Sequence, residues 1–226
     1  GIRTMGQGFG ALEHGTSSLY FLPDFGTDMT IKSVKDVAVH EFLHIVTPLN
    51  LHSEHIGSFN YENPVMCEHL WLYEGITEYF KGLALTQAGV LTPWKYLREE
   101  LRGKITSGSQ FPFTKMSFTE MSKNVFREPY KKQYGQVYER GAMLGAMLDI
   151  ELISLTGGEK TLKDVVFALS KKYGREKSFR EKESFFDSDT DRASGGASQH
   201  ALQLRMLHSL GALTIHFEYD CLLLKT

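Results

Sequence analysis

Val39-His40-Glu41-Phe42-Leu43-His44-Ile45 places two imidazoles four residues apart, with a carboxylate directly after the first. On a helix, residues four apart stand one turn above one another on a common face. Two neutral imidazole nitrogens on one face supply half of a tetrahedral zinc shell, and Glu41 can then take a proton from water held at such an ion. The segment reads as helical on grounds that do not involve the histidines. Ser33 precedes an apolar-periodic run and Asp36 follows three residues later, the spacing of a capping box, while Val37, Val39, Phe42, Leu43, Ile45 and Val46 supply apolar faces. Pro48 is expected to stop the helix. A core helix that carries two histidines by accident has the same pattern, so a second element has to decide.

Around this stretch, 226 residues at 42% hydrophobic and 23% charged are enough for one substantial core. A formal charge of −2 gives no general basic field, which argues against nucleic acid or an anionic membrane surface as a partner. No uncharged apolar run approaches the roughly 20 residues that span a bilayer. The best candidate, Met143 to Leu155, is interrupted by Asp149 and Glu151. Cys67 and Cys221 neither demand nor exclude a disulfide. No basic segment followed by an apolar one marks a secretion signal, and Gly1-Ile2-Arg3 reads as the interior of a longer chain. The expectation is a fragment whose compartment, cytoplasmic or bacterial periplasmic and secreted, is left open.

In chain order, residues from Gly6 to Pro23 mix glycines with two β-leaning runs, Phe9 to His14 and Ser17 to Leu22, and predict one or two strands with a turn near Gly15. Phe25-Gly26-Thr27-Asp28 reads as a loop leading to the motif helix. After Pro48 a polar loop runs to Pro64, and from Cys67 to about Leu85 apolar residues recur at three and four, predicting a second helix. Thr92-Pro93 opens a helix to about Arg102, and Ser117 with Glu120 caps a short one ending near Phe126. A long buried helix is expected from Gly135 or Gln136 to Leu155, closed by Gly157-Gly158, and another from Leu162 to Tyr173, capped by Thr161 and Asp164. From Arg175 to about Gln199 the composition turns charged and small, which reads as a flexible connector before a tail with a strand-like Ala212 to Tyr219.

The second element is Glu74, thirty residues after His44 and in the middle of a helix rich in Trp, Leu, Tyr and Ile. A carboxylate there is costly to bury unless it finds a proton, a cation or a metal. Catalytic zinc sites keep three protein ligands and one open position, so Glu74 is the candidate third ligand beside His40 and His44. His52, His55 and His69 match no ligand spacing, and the Asp187 to Asp191 run lacks the Gly and Glu of a calcium loop.

Taken together, His40-Glu41-Phe42-Leu43-His44, Gly57-Ser58-Phe59-Asn60-Tyr61 and Leu70-Trp71-Leu72-Tyr73-Glu74-Gly75-Ile76-Thr77-Glu78-Tyr79 resemble the glycyl aminopeptidase family of gluzincin zinc metallopeptidases. Gly10-Ala11-Leu12-Glu13-His14 is similar to that family's strand motif, and Val137-Tyr138-Glu139-Arg140-Gly141-Ala142 to the segment that supplies a transition-state tyrosine. The resemblance runs from about Gly6 to Tyr173. It departs at Val46-Thr47-Pro48, where the family usually has Trp-Asn, and nothing after about Phe186 follows it.

The resemblance implies an α+β, mostly helical, thermolysin-like zinc metallopeptidase catalytic domain with an N-terminal edge strand region, here over residues 1–174, with 175–226 as linker and tail. It implies one Zn2+ per chain held by His40, His44 and Glu74, with Glu41 and Tyr138 catalytic. It also implies substrate binding by Glu13, on the α-ammonium of a peptide, and by backbone groups of Gly10 and Ala11. On position alone Tyr138 reads as an ordinary amphipathic tyrosine, and Glu13 reads equally well as a solvated strand charge or as a substrate contact. The expected activity is zinc-dependent aminopeptidase action on the N-terminal bond of peptides with a small first residue, Gly or Ala. Adjoining β-rich and PDZ domains are expected in the full-length protein. Two other readings stand beside it: a catalytically inactive binding or scaffold module, and an endopeptidase that cuts N-acetylated peptides as readily as free ones. Glu78, one turn beyond Glu74, is expected either to orient a ligand or to be surface charge.

Overall fold

Two short strands build a hairpin: β1 (Gly10–Glu13) pairs antiparallel with β2 (Ser18–Phe21), with Gly10 opposite Phe21 and Leu12 opposite Leu19. The turn near Gly15 is closed by the His14 amide donating to the Ser17 carbonyl at 2.8 Å. The computed structural model describes residues 10–23, 26–110 and 117–181. The readings placed on residues 1–9, on Phe25, on the acidic run from Asp187, on the rest of the connector and tail, and on Cys221 lie outside those residues.

The motif helix α1 (Thr27–Leu43) begins six residues before Ser33, so Thr27 and Asp28 are helix and not loop. Its N-cap is Gly26 at φ 83°, without a side-chain cap. Ser33 and Asp36 lie inside the helix, and Asp36 pairs with Lys81 instead of closing a capping box. A serine and a carboxylate three apart recur inside helices as well as at their starts, and spacing alone does not separate the two cases. Regular helix ends at Leu43, before Pro48 is reached. His44 keeps helical angles (φ −62°, ψ −13°), which preserves the one-turn relation to His40.

Beyond the single turn α2 (Glu54–Gly57), the second helix is not uniform. Its first part, Trp71–Ile76, is a π-helical turn that runs into α3 (Thr77–Gln87). Such single-turn widenings are stable only where packing holds them, and they concentrate at functional positions. The next helix starts where Thr92 and Pro93 predict, with Thr92 Oγ1 accepting from the Lys95 amide at 3.2 Å. It runs as α4 (Pro93–Lys95), a π turn Tyr96–Leu101 and α5 (Arg102–Gln110), eight residues further than expected.

Helix α6 (Phe118–Asn124) has Ser117 as N-cap, its Oγ accepting from the Glu120 amide at 3.1 Å, while the Glu120 carboxylate turns to the Tyr130 hydroxyl. A 3-10 turn Tyr130–Gln133 leads into α7 (Gly135–Leu155), and Gly157 and Gly158 at φ 63° and 90° close it. Helix α8 (Leu162–Lys172) carries the full capping box of Thr161 and Asp164.

The molecule is mostly helical with one small two-stranded sheet among the described residues. Trp71, Leu72, Tyr73, Ile76 and Tyr79 form the core with Ala142, Leu144, Leu148 and Leu152 of α7 and Val165, Val166 and Leu169 of α8. Burying a Leu or Ile fully is worth about 1.5–3 kcal/mol, which makes α7 the principal packing element. Asp149 sits inside this core with both oxygens engaged, accepting from Tyr79 Oη at 2.6 Å and from the Leu162 amide at 2.6 Å. One buried carboxylate thus ties α3 and the positive end of α8 to α7.

Residues 175–181, read above as the start of a flexible connector, instead dock on the body. The Phe179 amide donates to the His52 carbonyl at 3.0 Å, its carbonyl accepts from the Glu54 amide at 2.8 Å, and its ring is fully buried. The charged residues around Phe179 masked this one anchoring side chain in the composition.

Candidate metal centre

His40 and His44 are one turn apart at the C-terminal end of α1, both buried, their rings edge to face with centroids 4.7 Å apart. His44 Nδ1 lies 2.9 Å from the Thr47 carbonyl. A carbonyl can only accept, so Nδ1 carries the hydrogen and the Nε2 lone pair is left for another group. His40 Nδ1 lies 2.8 Å from Glu78 Oε2, and an ionised Glu78 also only accepts, so this Nδ1 carries a hydrogen as well. Both Nε2 atoms then meet at one carboxylate: Glu74 Oε2 is 3.0 Å from that of His40 and 3.5 Å from that of His44.

Glu74 reaches this position from the π turn. Glu74 and Glu78, four residues apart, grip opposite nitrogens of one imidazole. The turn is held in place by a glycine contact: a Cβ on Gly75 would stand 2.5 Å from the Gly141 Cα, and one on Gly141 would stand 2.7 Å from the Gly75 Cα. Backbone meets backbone there, which only two glycines allow. Tyr138, one turn before Gly141 on α7, is thereby brought beside His40, their ring centroids 5.9 Å apart. Its phenol contacts Glu74 and shares a hydrogen bond of 3.0 Å with Tyr134 Oη.

Glu41 follows His40 on α1 and lies beside both His44 and the hairpin. Its carboxylate, the Glu13 carboxylate on β1 and His44 offer atoms within 4.8 Å of one another. Glu41 Oε2 is buried with no hydrogen-bond partner in the protein. Such a group needs a ligand or a solvent molecule to complete it. Gly10 and Ala11 lie on the same strand as Glu13, and β1 has no second strand on its other edge among the described residues.

Electrostatics follow from burial and pairing. Burial opposes ionisation of Glu74, yet the hydrogen bonds from His40 and His44 outweigh it and hold the carboxyl down at about 2. Burial disfavours a charged His40, but the hydrogen bonds and charges of Glu74 and Glu78 win and lift it to about 9. Glu78 is likewise held well below the carboxylate range, its burial overcome by His40, Lys81 and Lys104. Glu41 moves upward, chiefly through burial, with His44 and His40 opposing and Glu13 and Glu74 adding to the rise. Burial, then the Glu74 charge, raises the Tyr138 phenol, keeping it a donor.

The donor set suits a zinc ion on three counts. Two imidazoles have their second nitrogen fixed by an acceptor, their free nitrogens and a carboxylate oxygen converge, and the three ligand atoms lie within 4.8 Å of one another. In the protein alone, protons and hydrogen bonds join these three side chains; a cation held by the two Nε2 atoms would take their place.

The structure places His40, His44, Glu74, Glu41, Glu13 and Tyr138 near one another at the C-terminal end of α1. Glu78 is buried against His40 and is not surface charge. The excluded histidines are occupied otherwise, His52 Nδ1 on the Pro48 carbonyl at 2.9 Å and His69 Nε2 on the Glu181 carbonyl at 2.9 Å. The sequence reading passed over Thr47, whose contribution is a backbone oxygen, and Tyr134, for which a tyrosine four residues before Tyr138 was the available signal. Lys81 and Lys104 also went unnoticed; the first carries the helical i,i+3 signal with Glu78, the second carries none. Cys67 is buried and free, its thiol pushed up by burial to about 12.

The family model of the M61 glycyl aminopeptidases matches residues 33–144. That span holds His40, Glu41, His44, Glu74 and Tyr138. No curated protein matches the chain. Among solved structures the chain is similar to an aminopeptidase N family protein from Idiomarina loihiensis, with a TM-score of 0.64 and 22% sequence identity. The likeness covers 79% of this chain and 33% of that one, so this chain spans about a third of that protein's length. At this identity the likeness speaks to the fold alone. The family model covers the motif helix, the π turn and the start of α7, and over residues 33–144 the chain is similar to the M61 glycyl aminopeptidases.

Proposed function

We propose that this chain is the catalytic portion of a zinc-dependent aminopeptidase of thermolysin-like architecture that removes a small first residue, Gly or Ala, from peptides. The observation that carries the proposal is the meeting of His40 Nε2, His44 Nε2 and Glu74 Oε2, with Glu41 buried and unpartnered beside them. His40, His44 and Glu74 would hold one zinc. When bound, the ion supplies Lewis acidity to the attacking water and to the scissile carbonyl.

The rest of the chemistry belongs to side chains of this chain. Glu41, its carboxyl raised above the ordinary value by burial, takes the proton of the attacking water and passes it to the leaving amine. Tyr138, kept protonated by its surroundings, donates to the carbonyl oxygen as negative charge develops there. Glu13 receives the α-ammonium of the peptide, which places the first peptide bond at Glu41 and excludes blocked termini. Gly10 and Ala11 offer backbone groups to the substrate as an added strand on the edge of β1 that is unpaired among the described residues.

Turnover of glycyl- and alanyl-anilides, measured with and without zinc and alongside their N-acetylated forms, tests the proposal. Zinc-dependent release from the free amines alone is expected. Equal cleavage of the acetylated substrates would convert the reading to an endopeptidase, and none from a zinc-loaded chain would leave only a binding module.

A further inference from the structure

Among the described residues Lys81 is the one buried lysine or arginine, 4% exposed. Taking an ammonium out of water is unfavourable unless its donors are matched. Lys81 Nζ donates to Glu78 Oε1 at 2.6 Å and to Asp36 Oδ2 at 3.0 Å. Asp36 stands one turn before His40 on α1, and Glu78 one turn before Lys81 on α3. The two helices are therefore joined by two rungs, Asp36 to Lys81 and His40 to Glu78, with the Lys81–Glu78 bond closing the frame. From α5, Lys104 donates to the same Glu78 Oε1 and reaches Glu139 Oε1, next to Tyr138, at 3.4 Å.

The Glu78 carboxylate is thus divided. Two ammoniums occupy Oε1, and Oε2 alone faces His40 Nδ1. The terminal torsion of a glutamate is soft, so a carboxylate bound through one oxygen only can swing. Cations on one oxygen fix where the other points. Through the imidazole, that direction sets how Nε2 is presented on the far side of the ring.

We propose that Lys81 and Lys104 are positioning residues for the metal site: by saturating one oxygen of Glu78 they lock the other onto His40 Nδ1 and so aim His40 Nε2 at the cation. Asp36 holds Lys81 to the helix that bears the histidines. This inference rests on the zinc reading above. Two alternatives differ in sign. Removing a positive charge near a cation site tightens binding by Coulomb's law alone, whereas losing a positioning group loosens it. A purely structural ion cluster changes fold stability and leaves zinc affinity in the folded protein unmoved.

The test uses the full chain with Lys81→Met, Lys81→Arg and Lys104→Met, each also made in a Glu78→Gln background. Zinc affinity is read by chelator competition, and the ligand field by the visible spectrum of the cobalt-loaded protein. Lys81→Met and Lys104→Met are expected to weaken zinc about tenfold or more and to shift the cobalt bands. Lys81→Arg restores most of the affinity, and in the Glu78→Gln background the lysine substitutions change it less than about twofold. Lys104, partly exposed, carries the test should Lys81→Met fail to fold. Affinity equal to or tighter than wild type in the folded variants, or the same loss without Glu78, overturns the proposal. A wild-type chain that takes up no zinc overturns the metal reading itself, a result distinct from wild-type binding with unaffected lysine variants.

Discussion

Gly75 and Gly141 meet backbone to backbone, so close that a methyl group on either would stand within 2.7 Å of the other's Cα. This contact joins the turn bearing Glu74 to the helix bearing Tyr138, and the candidate site depends on it. Gly141→Ala should cost about 1–3 kcal/mol through overpacking that rigid backbone cannot relieve. Gly103→Ala, inside α5 with nothing within 4 Å of the added atom, should be neutral or stabilise by up to about 1 kcal/mol. Thermal unfolding of the two variants side by side checks the contrast; equal behaviour would contradict the close crossing.

Glu41→Gln keeps the shape of a side chain whose Oε2 has no protein partner. It should leave bound metal unchanged and lower kcat by about 100- to 10,000-fold, the range for loss of a general base. Retained turnover in a metal-replete variant would remove Glu41 from the proton path.

Tyr138→Phe separates hydrogen-bond donation from packing, since the ring beside His40 remains. A drop in kcat of about 100- to 1000-fold with little change in KM is expected from losing one donor to the developing oxyanion. A change confined to KM would place Tyr138 in substrate binding.

The acid limb of stability has a contribution at the start of α8. The side-chain and backbone hydrogen bonds from Thr161 hold the Asp164 carboxyl below its ordinary value of 3.8. A folded-state value below the unfolded one means stability that is present above the carboxylate range and lost as pH falls through it. Asp164→Asn should flatten the stability profile below about pH 4, and Thr161→Ala should cost about 1 kcal/mol at neutral pH, both read by denaturant unfolding at several pH values.

Much of this was legible in the residues because the chemistry is short-range along the chain. The His40–His44 spacing, the Thr92 and Ser117 caps, the Thr161–Asp164 box and the closing glycines are relations within one helical turn, and each stands where expected. What was missed depends on chain segments far apart. Asp36 looked like a capping residue because its true partner, Lys81, is forty-five residues away. Lys104 reaches Glu78 from a helix whose sequence gives no hint of it. The π turn at Glu74 leaves the apolar period nearly unchanged, and only the packing of Gly75 on Gly141 shows why the helix widens there. Phe179 was hidden by its charged neighbours.

The most direct measurement is zinc K-edge absorption on the wild-type chain and on Glu74→Ala, together with metal content. One zinc per chain is expected, bound by two imidazole nitrogens at about 2.0–2.1 Å and a carboxylate oxygen at about 2.0–2.2 Å, with that oxygen lost in the variant. A wild-type shell without two imidazoles, or a shell that Glu74→Ala leaves unchanged, would contradict a metal held by His40, His44 and Glu74.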